Sequence, residues 1–204
     1  MKVILASRNP DKLREMQSVL AFPGIEFLPV RALPGVPEVV EDGDTLEANA
    51  VKKARITAQI TGSWALADDS GLEVYALNMK PGVHSARFAG KHGDYAANNR
   101  KLLELLRNVA DRRARFRCVI ALSSPAGRCR TVEGICAGCI ADAPRGPHGF
   151  GYDPVFIPEG HLKTFAEMTP AEKNRLSHRF RAARAARRAW HSLLSGPNLP
   201  DWPD

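Results

Sequence analysis

The stretch from Arg115 to Ile140 limits the fold more than any other. Phe116, Cys118, Ile120 and Leu122 alternate with Arg115 and Arg117, the period-2 pattern of a strand with one buried face. Pro125-Ala-Gly127 then turns the chain, and Cys129 to Ile140 reads as the returning antiparallel partner. A hairpin of this kind excludes an all-parallel sheet. The chain ahead of it, however, is written as strands followed by helices. Val3 to Ala6 is a short buried strand, and a helix with Leu13, Met16 and Leu20 on one face follows it. Ile25 to Val30 is a second strand, pairing with the first. Asp44 and Glu47 have the spacing of a capping box, opening a helix to about Thr61 with Leu46, Ala50, Ala54 and Ala58 along one side. Trp64 to Ala67 is a third strand, ending at Asp68-Asp69-Ser70-Gly71, and Asn98 to Leu106 is helical. The expected fold class is therefore α/β, a mixed β-sheet with flanking helices.

The last helix opens at Thr169-Pro-Ala-Glu172, a capping box with proline at the first helical position. The spacing predicts one helix from there to Gly196-Pro197. On it Lys173/Ser177 and Asn174/His178 are i, i+4 pairs sharing one side. Residues 1–196 read as a single domain and residues 197–204 as a loose tail. A chain of 204 residues with 44% hydrophobic and 25% charged residues can bury a core without disulfides.

Four cysteines, Cys118, Cys129, Cys136 and Cys139, all lie in the hairpin. Cys136 and Cys139 have knuckle spacing, but no second pair completes four ligands, and residues three apart on a strand face opposite ways. Buried thiols in a reducing compartment are the expectation. The apolar run Val3 to Ala6 is too short for a signal-peptide core or a membrane span, so a cytoplasmic protein is expected.

Three kinds of group recur at element ends. Ser7-Arg-Asn-Pro-Asp-Lys12 joins a strand to a helix N-terminus, where α/β proteins hold phosphate; the same residues also suit an ordinary helix cap. Carboxylates cluster in a Pro-rich loop, at Glu38, Glu41, Asp42 and Asp44, and at Asp68 and Asp69. Asp68 and Asp69 alternate on a strand, so one should face the site and the other support the turn. The loop Pro144 to Pro154 combines glycines, which permit positive φ, with the flat faces of Phe150 and Tyr152. Phosphoanhydride cleavage needs all three: carboxylates for Mg²⁺, basic donors for the leaving oxygens, an aromatic face for the base. No GxxxxGK[ST], GxSxG or HExxH segment is present.

Net charge is +7, and Lys173, Arg175, Arg179, Arg181, Arg184, Arg187 and Arg188 run without an acid among them. Such a helix can hold nucleic acid, bind substrate phosphates, or simply present a solvated face. A nucleic-acid-binding module predicts stacking aromatics among these residues, and only Phe180 is there. No stable nucleic-acid or membrane partner is expected.

The segments Ser7–Lys12, Asp68-Asp-Ser-Gly-Leu72, Pro81-Gly-Val-His-Ser-Ala-Arg-Phe-Ala-Gly90, Gly149-Phe-Gly-Tyr-Asp-Pro154 and Lys173-Asn-Arg-Leu-Ser-His-Arg179 occur in that order. Together the chain resembles the inosine/xanthosine triphosphate pyrophosphatase family from Met1 to about Leu194. The resemblance implies two lobes around a central cleft and a homodimer. It also implies Mg²⁺-dependent hydrolysis of deaminated purine nucleoside triphosphates (ITP, dITP, XTP) to the monophosphate and pyrophosphate. A related pyrophosphatase for other modified nucleotides is the nearer rival, and the Lys173–Arg179 segment speaks against it.

Residue by residue, the resemblance places the triphosphate loop on Ser7, Arg8, Asn9, Pro10, Asp11 and Lys12. It makes Asp69 the general base and a metal ligand, with Ser70 touching substrate. Glu41 matches the second metal carboxylate, with Glu38 the alternative. Phe150, Gly151, Tyr152 and Asp153 match the base-recognition loop, and Lys173, His178 and Arg179 the remaining substrate contacts. Arg8 stands where the family often has Gly, Phe88 where it usually has Tyr, and Leu46 where Phe is common. A donor such as Arg179 or His178 aimed at the purine 6-position would accept a keto oxygen and reject adenine's amino group.

Overall fold

In the computed structural model, residues 2–20 and 24–194 are described. Six strands are present: β1 (Lys2–Leu5), β2 (Glu26–Pro29), β3 (Ala65–Val74), β4 (Arg113–Ser123), β5 (Cys129–Ile140) and β6 (Phe156–Pro158). They form one sheet in the order β2-β1-β3-β4-β5-β6. β1 pairs in parallel with both β2 and β3, whereas β5 and β6 are antiparallel. The sheet is thus mixed, as the hairpin requires. Five helices accompany it: α1 (Pro10–Val19), α2 (Leu46–Thr61), α3 (Tyr95–Leu105), α4 (Pro170–Leu176) and α5 (His178–Leu194). None of the described helices is long and apolar enough to cross a membrane. The expected tail at 197–204 lies outside the described residues.

Four boundaries differ from the sequence reading. α2 is capped by Thr45, whose hydroxyl accepts the Ala48 N–H at 3.0 Å, not by Asp44. α3 starts three residues early because Asp94 accepts the Ala97 N–H and supplies a cap. β3 does not stop at the acids. It continues through Asp68, Asp69 and Gly71 to Val74, residue types that disfavour strands in isolation but here lie within a paired, buried strand. The last helix is broken: Ser177 is extended (ψ 152°), and α5 starts afresh at His178. No Gly or Pro marks that break, so the pattern reading ran through it, and the i, i+4 alignment of Asn174 with His178 is lost.

The chain packs as two compact units, Met1–Asp69, Cys118–Gly134 and Arg179–Asp204 in the first and Ser70–Arg117 with Ile135–His178 in the second. The strands β3, β4 and β5 contribute residues to each. In the first unit Leu13 and Met16 of α1, Val3 and Leu5 of β1, Ile120 and Leu122 of β4, and Ala182, Ala186 and Trp190 of α5 share one core. The period of three to four along α1 and α5 is what brings these residues onto one face. In the second unit Leu72, Leu102, Phe116, Tyr152, Phe156 and Phe165 form another core, with the Phe116 and Phe156 rings edge to face at 4.7 Å.

Candidate functional site

The first unit builds a charged cluster from four segments. Asn9 caps α1, its Oδ1 accepting the N–H groups of Asp11 (2.9 Å) and Lys12 (3.2 Å). The cap reading of this segment is therefore realised: with Pro10 lacking an N–H, these amides of the first turn are already engaged. What the segment offers to a ligand is side chains. Lys12 Nζ lies 3.6 Å from Asp68 Oδ2 and 3.7 Å from Asp69 Oδ1. Successive strand residues normally face apart, yet one long ammonium chain reaches both carboxylates.

α2 contributes Asn49 and Lys53, one turn apart and so on one face. Asn49 Nδ2 donates to Asp69 Oδ2 at 3.2 Å, while its Oδ1 accepts the Gly43 N–H at 2.8 Å. A Cβ at position 43 would crowd Asn49 Oδ1 at 2.8 Å and the Ala48 methyl at 2.9 Å, so only glycine lets the acidic loop approach this closely. Lys53 Nζ donates to Glu41 Oε1 (2.6 Å) and to the Asp68 carbonyl (2.7 Å), and stands 3.7 Å from Asp69 Oδ1. Glu41 thus belongs to the cluster, whereas Glu38 is exposed. Arg179, at the start of α5, reaches Asp68 Oδ2 at 3.3 Å through Nε and pairs with Glu15 through Nη1; its side chain is 3% exposed.

Burial opposes the charge of each group here, and its neighbours decide the balance. For Asp69 burial dominates, and its pKa is raised despite Lys12 and Lys53. For Glu41 the lysines outweigh burial, and its pKa is lowered. Lys12 is raised: burial opposes its charge, but Asp68 and Asp69 more than offset it. Arg179 is raised for the same reason, by Asp68 and Glu15.

Among the described residues no group of three or more His, Cys, Asp or Glu side chains is arranged as a metal site. The donor set nevertheless suits a hard cation. Glu41 and Asp69 both converge on one positive centre, Lys53 Nζ, and Mg²⁺ is usually held by one or two carboxylates plus substrate phosphates and water.

The second unit builds a different feature. Asp153 Oδ2 accepts the Phe150 N–H at 2.8 Å and the Lys173 ammonium at 2.5 Å. Gly149 has φ +78°, and a Cβ there would collide with the Asp153 carboxylate. Gly151 has φ +63°, and its carbonyl accepts from Asn99 Nδ2 of α3 at 3.0 Å. The Phe150 ring is half-buried, 4.9 Å from Lys173 Nζ and 6.1 Å from the Tyr95 ring. Tyr152 differs from the flat exposed face expected of it. It is buried in the core, its hydroxyl donates to the Ser85 carbonyl at 3.0 Å, and burial pushes its pKa up. His178 is buried and stacked on Phe116, centroids 4.6 Å apart and planes within 10°.

The expected residues therefore fall into two sets. Lys12, Glu41, Asp69 and Arg179 meet in the first unit, on α1, the acidic loop, β3 and α5. Ser7, Arg8, Asn9, Pro10 and Asp11 precede Lys12 in the same unit; Arg8 donates to the Val36 carbonyl at 2.5 Å, and Asp11 pairs with Arg14. Phe150, Gly151, Tyr152, Asp153 and Lys173 meet in the second unit, which also holds Ser70 and His178. Arg179, expected with Lys173 and His178 as a substrate contact, is engaged in an ion pair with Asp68. Asn49, Lys53 and Glu15 were missed. Asn49 and Lys53 carried a usable signal, as polar side chains next to the Leu46–Ala50–Ala54 stripe of α2, where solvent-facing residues are not expected.

These features define a mixed α/β protein with an acid–lysine cluster suited to a cation and phosphates in its first unit and an aromatic, glycine-bounded loop in its second. A model of the Ham1 family matches residues 3–189, and the chain belongs to that family. It is 50% identical over 192 residues to the dITP/XTP pyrophosphatase of Syntrophobacter fumaroxidans, covering 94% of this chain and 83% of that one. It is also 50% identical to the dITP/XTP pyrophosphatase of Desulforamulus reducens, covering 91% of this chain and 94% of that one. The structure of a HAM1 protein from Coxiella burnetii superposes with a TM-score of 0.87 at 43% identity, over 94% of this chain and 99% of that one.

Proposed function

We propose that this chain hydrolyses deaminated purine nucleoside triphosphates (ITP, dITP and XTP) to the monophosphate and pyrophosphate, with Mg²⁺, in the cytosol and as a homodimer. The observation that carries the reading is the first unit's cluster, in which Lys12 and Lys53 each lie within 4 Å of carboxylates on β3. An arrangement of two carboxylates converging on one cation position, beside a second lysine, is what phosphoanhydride chemistry requires. The names of the two 50% identical relatives, both dITP/XTP pyrophosphatases, support dITP and XTP.

Glu41 and Asp69 would hold a divalent cation, which neutralises phosphate charge and acidifies the attacking water. Asp69 takes the proton of the attacking water as general base. Asn49 holds Asp69 in place by donating to its other oxygen. Lys12 and the side chains of the Ser7–Asp11 segment take the phosphate oxygens, Lys12 supplying positive charge to the departing pyrophosphate. Ser70, next to the base on β3, donates its hydroxyl to substrate. In the second unit Phe150 stacks on the purine, Lys173 and Asp153 fix that ring, and His178 reads the 6-position. Arg179 acts through Asp68, whose charge it balances.

The test is a panel of ITP, dITP, XTP, GTP and ATP with and without Mg²⁺, products followed by phosphorus NMR, wild type beside Asp69→Asn. Monophosphate and pyrophosphate from the first three, dependent on Mg²⁺ and lost in the variant, are expected. Orthophosphate as first product would overturn the assignment. Light scattering of the purified chain checks the dimer.

A further inference from the structure

The loop of residues 149–153 is tied on one side by its own Asp153, which accepts from Phe150 N–H and from Lys173. The tether on the other side comes from α3. Asn99 Nδ2 donates to the Gly151 carbonyl at 3.0 Å, across 52 residues of chain. Gly151 sits at φ +63°, a conformation open to glycine but held by nothing in its own side chain, so an external hydrogen bond to its peptide fixes the direction in which Phe150 is presented. Tyr95, one turn earlier on α3, lies against the Phe150 ring. The face of α3 carrying residues 95 and 99 is therefore a wall of the loop.

Asn99 is 7% exposed, and its Oδ1 is buried with no hydrogen-bond partner among the described residues. Buried amide oxygens are nearly always answered by a donor. A side chain whose only task was to hold Gly151 would leave this acceptor as a pure cost. Purines with a 6-oxo group carry a hydrogen on N1, a donor, whereas adenine has a lone pair there.

We propose that Asn99 is a specificity-determining residue: Nδ2 holds the Gly151 peptide, and Oδ1 accepts an N–H from the edge of a 6-oxopurine stacked on Phe150. This rests on the reading of the 149–153 loop as the base site. Asn99→Leu removes both arms at similar volume. Asn99→Asp keeps an acceptor but cannot donate to Gly151.

Steady-state kinetics of the full chain with Mg²⁺ and ITP, XTP or ATP test the proposal, with melting temperatures alongside. In Asn99→Leu, KM for ITP rises about tenfold while kcat stays within about threefold, and the ITP-over-ATP ratio of kcat/KM narrows about tenfold, the scale of one lost polar contact. Its melting temperature changes little, since loss of the hydrogen bond to Gly151 is offset by removal of an unanswered buried acceptor. Asn99→Asp also raises KM but keeps most of the ITP preference, and it serves alone if the leucine variant fails to fold. Unchanged KM in the Asn99 variants, with or without a lower melting temperature, would overturn the proposal if Phe150→Ala still raises KM. If Phe150→Ala leaves KM unchanged as well, the base-loop reading falls and takes this proposal with it.

Discussion

Asp69 and Arg179 show two ways of keeping a charge out of water. For Asp69 burial wins, and its pKa in the folded chain lies above the ordinary carboxylate value. An acid raised in this way costs stability once it ionises. The cost is absent below the unfolded pKa, grows as pH rises through the interval, and persists above the folded pKa. Asp69→Asn should therefore melt higher than wild type at neutral pH without divalent cations, and this gain should vanish in acid. The same variant loses about 10²–10⁴-fold in turnover, the worth of a general base. A lower melting point at pH 7 would show that Lys12 and Lys53 need the charge more than burial resists it. Arg179 has the opposite sign, since Asp68 and Glu15 outweigh the burial that opposes its charge. Arg179→Met takes the guanidinium partner from Asp68, whose side chain is fully buried, and leaves Lys12 at 3.6 Å to balance it. We expect a loss of about 3–5 kcal/mol, the cost of breaking a buried pair, seen as a fall in melting temperature of roughly 10 °C for a chain of this size. A neutral outcome would mean that Asp68 is protonated in the variant. Of this cluster, Lys12 and Asp69 were legible as charges beside a helix start and a strand, whereas Glu41 came only from the family resemblance, which left Glu38 open. The ion pair of Arg179 with Asp68 was not legible, because nothing local in Leu176-Ser-His-Arg179 announces the extended Ser177.

At the scale of elements, β3 carries most of what the sequence left obscure. Asp-Asp-Ser-Gly has the composition of a turn, and single-residue preferences rightly say so. What overrides them is pairing on either side of the strand, together with lysine and arginine partners drawn from α1, α2 and α5, all distant in sequence. Gly71 has a separate reason to be there. A Cβ at that position would meet the Gly82 carbonyl carbon at 2.9 Å and Ser85 Oγ at 3.1 Å. Ser85 Oγ accepts the Leu72 N–H at 2.9 Å and donates to the Gly82 carbonyl at 2.6 Å. The missing side chain thus lets the 3-10 turn at Gly82–Arg87 dock on the strand. Gly71→Ala should cost about 1–3 kcal/mol, as overpacking does, read from denaturant unfolding of the purified variant. A wild-type midpoint would show that the turn moves away freely. By contrast the hairpin was legible to within two residues, and the buried face of α1 in Leu13 and Met16, since their apolar period is local and unbroken.

For the molecule as a whole, the net charge of +7 and the character of α5 set how a polyanionic substrate arrives. Arg175, Arg181, Arg184, Arg187 and Arg188 are exposed, while Lys173 and Arg179 are buried and paired. Most of the basic run is thus a solvated face rather than part of either cluster. Charges of this kind contribute little to stability, but they raise the potential felt by an approaching anion, over a range of about 10 Å at 0.1 M salt. A nucleoside triphosphate approaching such a chain should be steered, so kcat/KM for ITP should fall as ionic strength rises, by about tenfold between low and high salt. Saturated turnover should stay flat, because long-range steering acts on the encounter and not on substrate that is already bound. Replacing Arg181, Arg184, Arg187 and Arg188 by glutamine should flatten the kcat/KM profile and leave kcat unchanged. If kcat itself collapses in that variant, the face is not solvated scenery but part of the chemistry. If the profile of the wild type is already flat, the excess charge serves something other than this substrate.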